Sequence, residues 1–129
     1  MSSAVVVLDS SVILAAVLRE PGGARALGHD HAPLVSAVNY AETLTRLVDR
    51  GYDKTAVDVA LGFVPFEVID FNREQAESVA NLREATKVHG LSLGDRACLA
   101  LAVSRGAVAL TADRAWRNVD LPVQIELVR

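Results

Sequence analysis

Four acidic residues stand where a folded chain has little ordinary use for charge. Asp9 and Asp113 come just behind short apolar runs (AVVVL and VALT). Asp95 precedes seven consecutive apolar residues, and Glu42 sits on the flank of an amphipathic stretch. Each has a plain structural use. Asp9 and Asp113 are of the type that caps helices. Ser92-Leu93-Gly94-Asp95 fits the serine-x-x-acid capping box, and Glu42 can extend its stem along the surface of its helix. Taken together they suggest other chemistry. Carboxylates brought close to one another repel, and such a cluster is tolerable only when protons or cations neutralise it. An all-oxygen donor set suits a hard divalent cation such as Mg²⁺, which prefers octahedral oxygen ligands, keeps several waters and takes one or two carboxylates directly. Cap and ligand remain open readings for each residue alone.

The elements that must position these acids follow from the pattern. Ala4–Leu8 is a β-branched, continuously apolar run, as in a strand buried on both faces. It ends at Asp9-Ser10-Ser11, after which Val12–Leu18 reads as a helix stopped by Pro21-Gly22-Gly23, with a short helical piece at Ala24–Leu27. Pro33–Ser36 is a second strand. Ala37–Arg50 carries Val38, Ala41, Leu44, Leu47 and Val48 at helical spacing and is closed by Gly51. A helix over Asp53–Phe63, a strand over Phe66–Phe71 and a long helix from Asn72 to His89 come next. Leu93–Ser104 is the apolar helix behind Asp95, Ala107–Leu110 a strand leading to Asp113, and Val123–Val128 a final strand after a short helix. Strands alternating with helices predict a three-layer α/β/α sandwich around a mainly parallel sheet. Ligands of such sheets collect at the carboxyl ends of the strands, where the strand order reverses. Asp9 and Asp113 belong at that edge, and the start of the Asp95 helix near it.

Composition narrows the class. At 129 residues, without repeat, low-complexity tract or linker, residues 1–129 read as one domain large enough to bury a core. The lone Cys98 excludes an internal disulfide and fits a small core hydrophobe in a reducing compartment. With no basic-then-apolar leader and no apolar run near the roughly 20 residues of a membrane span, the expected location is the cytoplasm, without membrane contact. The net charge of −3 argues against a broad nucleic-acid-binding surface. Setting the four acids aside turns it to +1, however, and 11 arginines against two lysines favour local phosphate forks.

The ordered series VVVLDSSV, SAVNYAETL, LSLGDRACLALA and VALTADRAW resembles the PIN-domain ribonucleases, specifically the small VapC-type toxins of bacterial toxin–antitoxin pairs, over nearly the whole chain. The resemblance implies a five-stranded parallel sheet flanked by helices and matches Asp9, Glu42, Asp95 and Asp113 to the family's acids. Ser11 takes the hydroxyl position beside the first acid and Thr111 the one preceding the last. It further implies Mg²⁺, with Mn²⁺ as substitute, a homodimer, an RNA substrate and a cognate VapB-type antitoxin whose C-terminal segment covers the site. The expected reaction is hydrolysis of an RNA phosphodiester without a protein nucleophile, leaving a 5′-phosphate and a 3′-hydroxyl.

Arg19, Arg46, Arg96 and Arg114 lie near the acids in sequence as phosphate contacts, and Arg96 and Arg114 serve equally well as contacts to an antitoxin carboxylate. His29, His31 and His89 suit exposed positions better than a general base, and most aromatics, Trp116 among them, are expected to pack. Other classes are a PIN-fold nuclease of RNA processing or of structured DNA, and a module that binds antitoxin and RNA without cutting. A phosphoacceptor signalling domain would want paired acids after the first strand and a lysine near the last strand's end. The chain has only Lys54 and Lys87.

Overall fold

The apolar runs pair into one sheet. A computed structural model describes residues 4–129; residues 1–3, included in the single-domain expectation, lie outside the described residues. The chain runs β1 (Val6–Leu8), α1 (Ser10–Val17), β2 (Leu34–Ser36), α2 (Ala37–Asp49), α3 (Lys54–Leu61), β3 (Glu67–Ile69), α4 (Arg73–Asn81), α5 (Arg83–Lys87), α6 (Leu93–Arg105), β4 (Val108–Thr111) and β5 (Gln124–Leu127). Short 3₁₀ turns cover Gly23–Ala26 and Arg114–Trp116. The five strands are all parallel, in the order β3-β2-β1-β4-β5. The α/β expectation is met. The chain builds outward from β1 through β2 to β3, then returns to the other side of β1 for β4, so the strand order reverses between β1 and β4.

Burial on both faces explains the unalternating strands. Val7, Leu34 and Ala109 pack on one side with Leu99, Leu101 and Trp116, while Val6, Leu8, Val35 and Leu110 pack on the other with Val12 and Ile13. α6 is buried from Ala97 to Ala102 because the sheet lies on one side, and α4 joins it on another through Val79, Ala97 and Ala100. Its apolar sequence all round is the direct consequence.

Three expectations about elements need correction. The long helix over Asn72–His89 is two, α4 and α5, separated at Leu82. Arg96 Nη1 donates to Val79 O at 3.0 Å, taking the carbonyl an unbroken helix would offer to Arg83, and Thr86 Oγ1 donates back to Leu82 O at 2.7 Å. Side chains inserted into the helical ladder bend it. The strand expected over Phe66–Phe71 shrinks to Glu67–Ile69, because Ile69 already pairs with Ser36, the last residue of β2. It is an edge strand, and edge strands are commonly short. β4 runs one residue past the expected Leu110, since Thr111 pairs with Leu127. That extra residue carries a hydroxyl to the reversal point.

Leu99 is fully buried between α6 and the sheet. Leu99→Ala is expected to cost about 2–5 kcal/mol of stability in denaturant titration, and a cost under about 1 kcal/mol would contradict this packing.

Candidate functional site

Asp9 follows β1 directly and occupies the N-cap position of α1, yet its side chain makes no cap hydrogen bond. Its Oδ2 accepts instead from Ser11 Oγ at 2.7 Å and from Thr111 Oγ1 at 2.9 Å. Both hydroxyls are oriented by the backbone. Ala112 N–H donates to Ser11 Oγ and Asp113 N–H to Thr111 Oγ1, each at 3.0 Å, which leaves each hydroxyl's single proton for Asp9. Four residues from the ends of β1 and β4 thus hold one carboxylate oxygen. The carboxylate is nonetheless buried, at 4% exposure. Burial pushes Asp9 up to about 6 despite the two hydroxyl donors, and repulsion from Asp95 and Glu42 adds to the rise.

Asp95 enters from α6. Ser92 Oγ accepts from Asp95 N–H at 3.2 Å and Asp95 Oδ2 accepts from Ser92 N–H at 2.9 Å, so the capping box forms as its sequence suggested. Partial burial raises the Asp95 carboxyl; its hydrogen bonds to Ser92 lower it again, and Asp113 adds repulsion. Asp113 is exposed and caps the 3₁₀ turn after β4, its Oδ1 accepting from Ala115 N–H at 2.9 Å.

Glu42 is placed by two residues that the sequence reading overlooked. Asn39 is fully buried, and its Nδ2 donates at 3.0 Å both to Glu42 Oε1 and to Gly94 O. Two acceptors at that distance require the nitrogen there. One amide therefore ties the glutamate of α2 to the first turn of α6. Gly94 makes the approach possible, because a Cβ on it would overlap the Glu42 carboxylate. Signals for both were present: Asn39 stands on the buried face of an amphipathic helix, and an isolated glycine inside a helix is costly without a packing reason.

Each of the four carboxylates thus has one oxygen engaged in fixing its position. Among the described residues, no protein hydrogen bond engages Asp9 Oδ1, Glu42 Oε2, Asp95 Oδ1 or Asp113 Oδ2. Asp9 senses Asp95 and Glu42, Asp95 senses Asp113, and no basic group counts among the causes of either shift. A buried carboxylate with acidic neighbours and no cation is the environment a hard divalent ion would relieve, so the residues fit one. No group of three or more such side chains among the described residues is tight enough to hold an ion alone. Cys98, fully buried nearby, has its thiol pushed well up, first by burial and then by Asp9, Asp95 and Glu42, so it stays neutral.

The arginines divide. Arg96 braces α4 through Val79 O, with its Nε buried and unpartnered. Arg19 lines a separate hollow with Gly23 and Leu27, while Arg114 is exposed beside Asp113. Arg46 lines two grooves, one with Glu42 and one with Ser11. Trp116 is fully buried, and His29 Nε2 bonds Arg25 O.

A family model described as "PIN domain" matches residues 6–121. Several solved structures share the fold, three of them as follows. The VapBC2 complex of Rickettsia felis bound to a promoter DNA fragment has TM-score 0.71 and 17% identity, over 95% of this chain and 98% of that one. A toxin–antitoxin complex from Klebsiella pneumoniae has TM-score 0.70 and 17% identity, over 95% and 100%. DNA-bound VapBC from Salmonella typhimurium has TM-score 0.70 and 19% identity, over 98% and 99%. Comparison with curated proteins gives no match.

Two outcomes follow from this geometry. Because Asp9 binds its proton more tightly folded (about 6) than unfolded (3.8), it favours the fold below about pH 4, and that contribution is lost as pH rises through about 6. Without divalent ions, Asp9→Asn is expected to match the natural protein near pH 4 and exceed it by about 2–3 kcal/mol at pH 7 in denaturant titrations. An equal stability at both pH values would contradict the burial argument. Gly94→Ala, worth about 1 kcal/mol of stabilisation in an exposed helix, is expected to destabilise here, since Glu42 must leave Asn39.

Proposed function

Because this chain belongs to the PIN-domain family, we propose that it is a Mg²⁺-dependent endoribonuclease, with Mn²⁺ as substitute, acting as the toxin of a toxin–antitoxin pair. The observation that carries the reading is the division within each carboxylate: one oxygen fixed by a hydroxyl, amide or backbone N–H, the other without a protein partner among the described residues. A bound divalent cation supplies a lowered water pKa and offsets charge developing on the phosphate. Asp9 and Asp95 would hold it directly. Glu42, kept in place by Asn39, and Asp113, kept by its cap, complete the negative cluster and orient the attacking water. Ser11 and Thr111 are positioning residues that keep Asp9 from rotating. Water attacks the phosphorus in line, the bond from phosphorus to the 3′-oxygen breaks and that oxygen leaves as a hydroxyl, so the products are a 5′-phosphate and a 3′-hydroxyl with no protein nucleophile.

The same reading assigns a VapB-type antitoxin as partner. It is supported by an open apolar groove of about 530 Å³ along α2, lined by Val38, Ala41 and Phe71 and ending at Glu42 and Arg46. A segment seated there would reach the carboxylates and cover them. No helix among the described residues is long and apolar enough to cross a membrane. Action in the cytoplasm as a homodimer completes the proposal.

The test is cleavage of labelled RNA by the purified chain with Mg²⁺ and with EDTA. Asp9→Asn and Asp95→Asn are expected to lower cleavage at least 10²-fold while circular dichroism stays unchanged. Cleavage at the natural rate by both variants, or in EDTA, would sink the proposal. Cleavage of structured DNA in preference to RNA would overturn the substrate.

A further inference from the structure

A second groove, of about 300 Å³, opens between α1 and α2. It begins at Ser11, whose hydroxyl holds Asp9, and passes over Leu14 and Leu18 toward Arg46, Arg50 and Arg129. Glu42 and Arg46 on α2 and Arg50 at its C-cap recur every fourth residue, so they form one stripe rising about 6 Å per step. Arg46 lies at the junction, lining this groove as well as the one that contains Glu42.

The charges here are unevenly spent. Elsewhere, Arg25 pairs with Glu126 and Arg73 with Glu77. Within the groove, Arg129 is paired with Glu20 at 3.4 Å, which cancels that acid. Arg46 and Arg50 are exposed and make no ion pair among the described residues, and besides the paired Glu20 the lining holds one further acid, Asp49. An arginine in a helix's last turn also offsets the dipole. That use would be served equally by arginines facing any direction, whereas these two face the groove that starts at the acid cluster. In a chain of net charge −3, two uncommitted guanidinium groups, Arg46 sharing a groove with Glu42 and Arg50 one helical step beyond it, form a local positive track. The half-buried Leu14 and Leu18 give it an apolar floor.

We propose that the α1–α2 groove is the path of the single-stranded RNA away from the scissile position, with Arg46 and Arg50 each contacting a backbone phosphate and Leu14 and Leu18 underlying a base. This rests on the ribonuclease reading and deepens it. The contacts are to the phosphate backbone and carry no base sequence. They supply affinity and direction, and they lead the strand along the Ser11 groove, which adjoins the apolar groove assigned to the antitoxin at Arg46.

The experiment uses the full chain carrying Asp9→Asn, with fluorescence anisotropy of a labelled single-stranded RNA dodecamer in Mg²⁺ across a salt series. Adding Arg46→Glu and Arg50→Glu is expected to weaken binding at least tenfold. Two lost phosphate contacts should flatten the slope of log K against log salt by about 1.4. A charge-matched control, Arg73→Glu with Arg105→Glu, lies at the far end of α6, where Gln75 reaches Ser104. It is expected to change affinity less than twofold. The milder Arg46→Gln and Arg50→Gln pair gives the same direction of change if the reversal pair does not fold. Unchanged affinity and slope in both groove pairs, or equal losses in groove and control pairs, would overturn the assignment. If the Asp9→Asn chain binds no RNA at any salt, the ribonuclease reading fails first. Binding that is indifferent to Arg46 and Arg50 removes the groove alone.

Discussion

The arrangement depends on keeping one carboxylate, Asp9, buried at the point where the strand order reverses. Burial alone would favour its protonated form, and the nearby Asp95 and Glu42 push the same way. Two hydroxyls oppose them, one from two residues further along the chain and one available only because β1 and β4 are neighbours. Ser11 comes from the first turn of α1 and Thr111 is the last residue of β4. Each hydroxyl is in turn oriented by a backbone N–H from the β4 exit. The sheet order is thus a condition for the electrostatics of the site. If β4 had been added at an outer edge, Asp9 would lack Thr111 and the chain would carry a buried acid with fewer donors.

The other acids solve the same problem with different local devices. Asp95 uses a helix cap, Asp113 the cap of a 3₁₀ turn and Glu42 a buried amide. Capping and ligation are often treated as competing explanations for such residues. A carboxylate has two oxygens, and here one is used for position while the other is left to the cluster. Preorganisation of this kind reduces the rearrangement needed when charge is bound. Gly94 is the least conspicuous part of it. A residue that weakens the helix is retained where Glu42 must approach the backbone of α6 closely.

Arginine chemistry in this chain is divided between the interior and the surface. Arg96, beside Asp95 in sequence, turns away from it to take the Val79 carbonyl and breaks the helix expected over Asn72–His89. Sequence proximity to an acid was therefore a poor guide to which arginine serves the site. The groove arginines on α2 are several residues from Glu42 in sequence but share its stripe. The structures of similar fold are 15–20% identical to this chain. That is expected if sheet order and buried pattern, which tolerate many apolar exchanges, define the fold.

By itself the sequence determined the class of fold and singled out four acids as out of place. Strands buried on both faces must be continuously apolar, α6 must be apolar all round, and four acids placed against that pattern are conspicuous because charge there is costly. The capping box at Ser92 was legible for the same local reason. What the sequence left open depended on contacts between distant residues. Only the folded chain decided that Asp9 turns from its helix to Thr111, that Asn39 joins Glu42 to Gly94, and that Arg96 braces α4. Periodicity reports which face of an element is buried and carries nothing about what it is buried against. Hydrogen bonds spanning 55 and 102 residues exist only once the sheet has set its order.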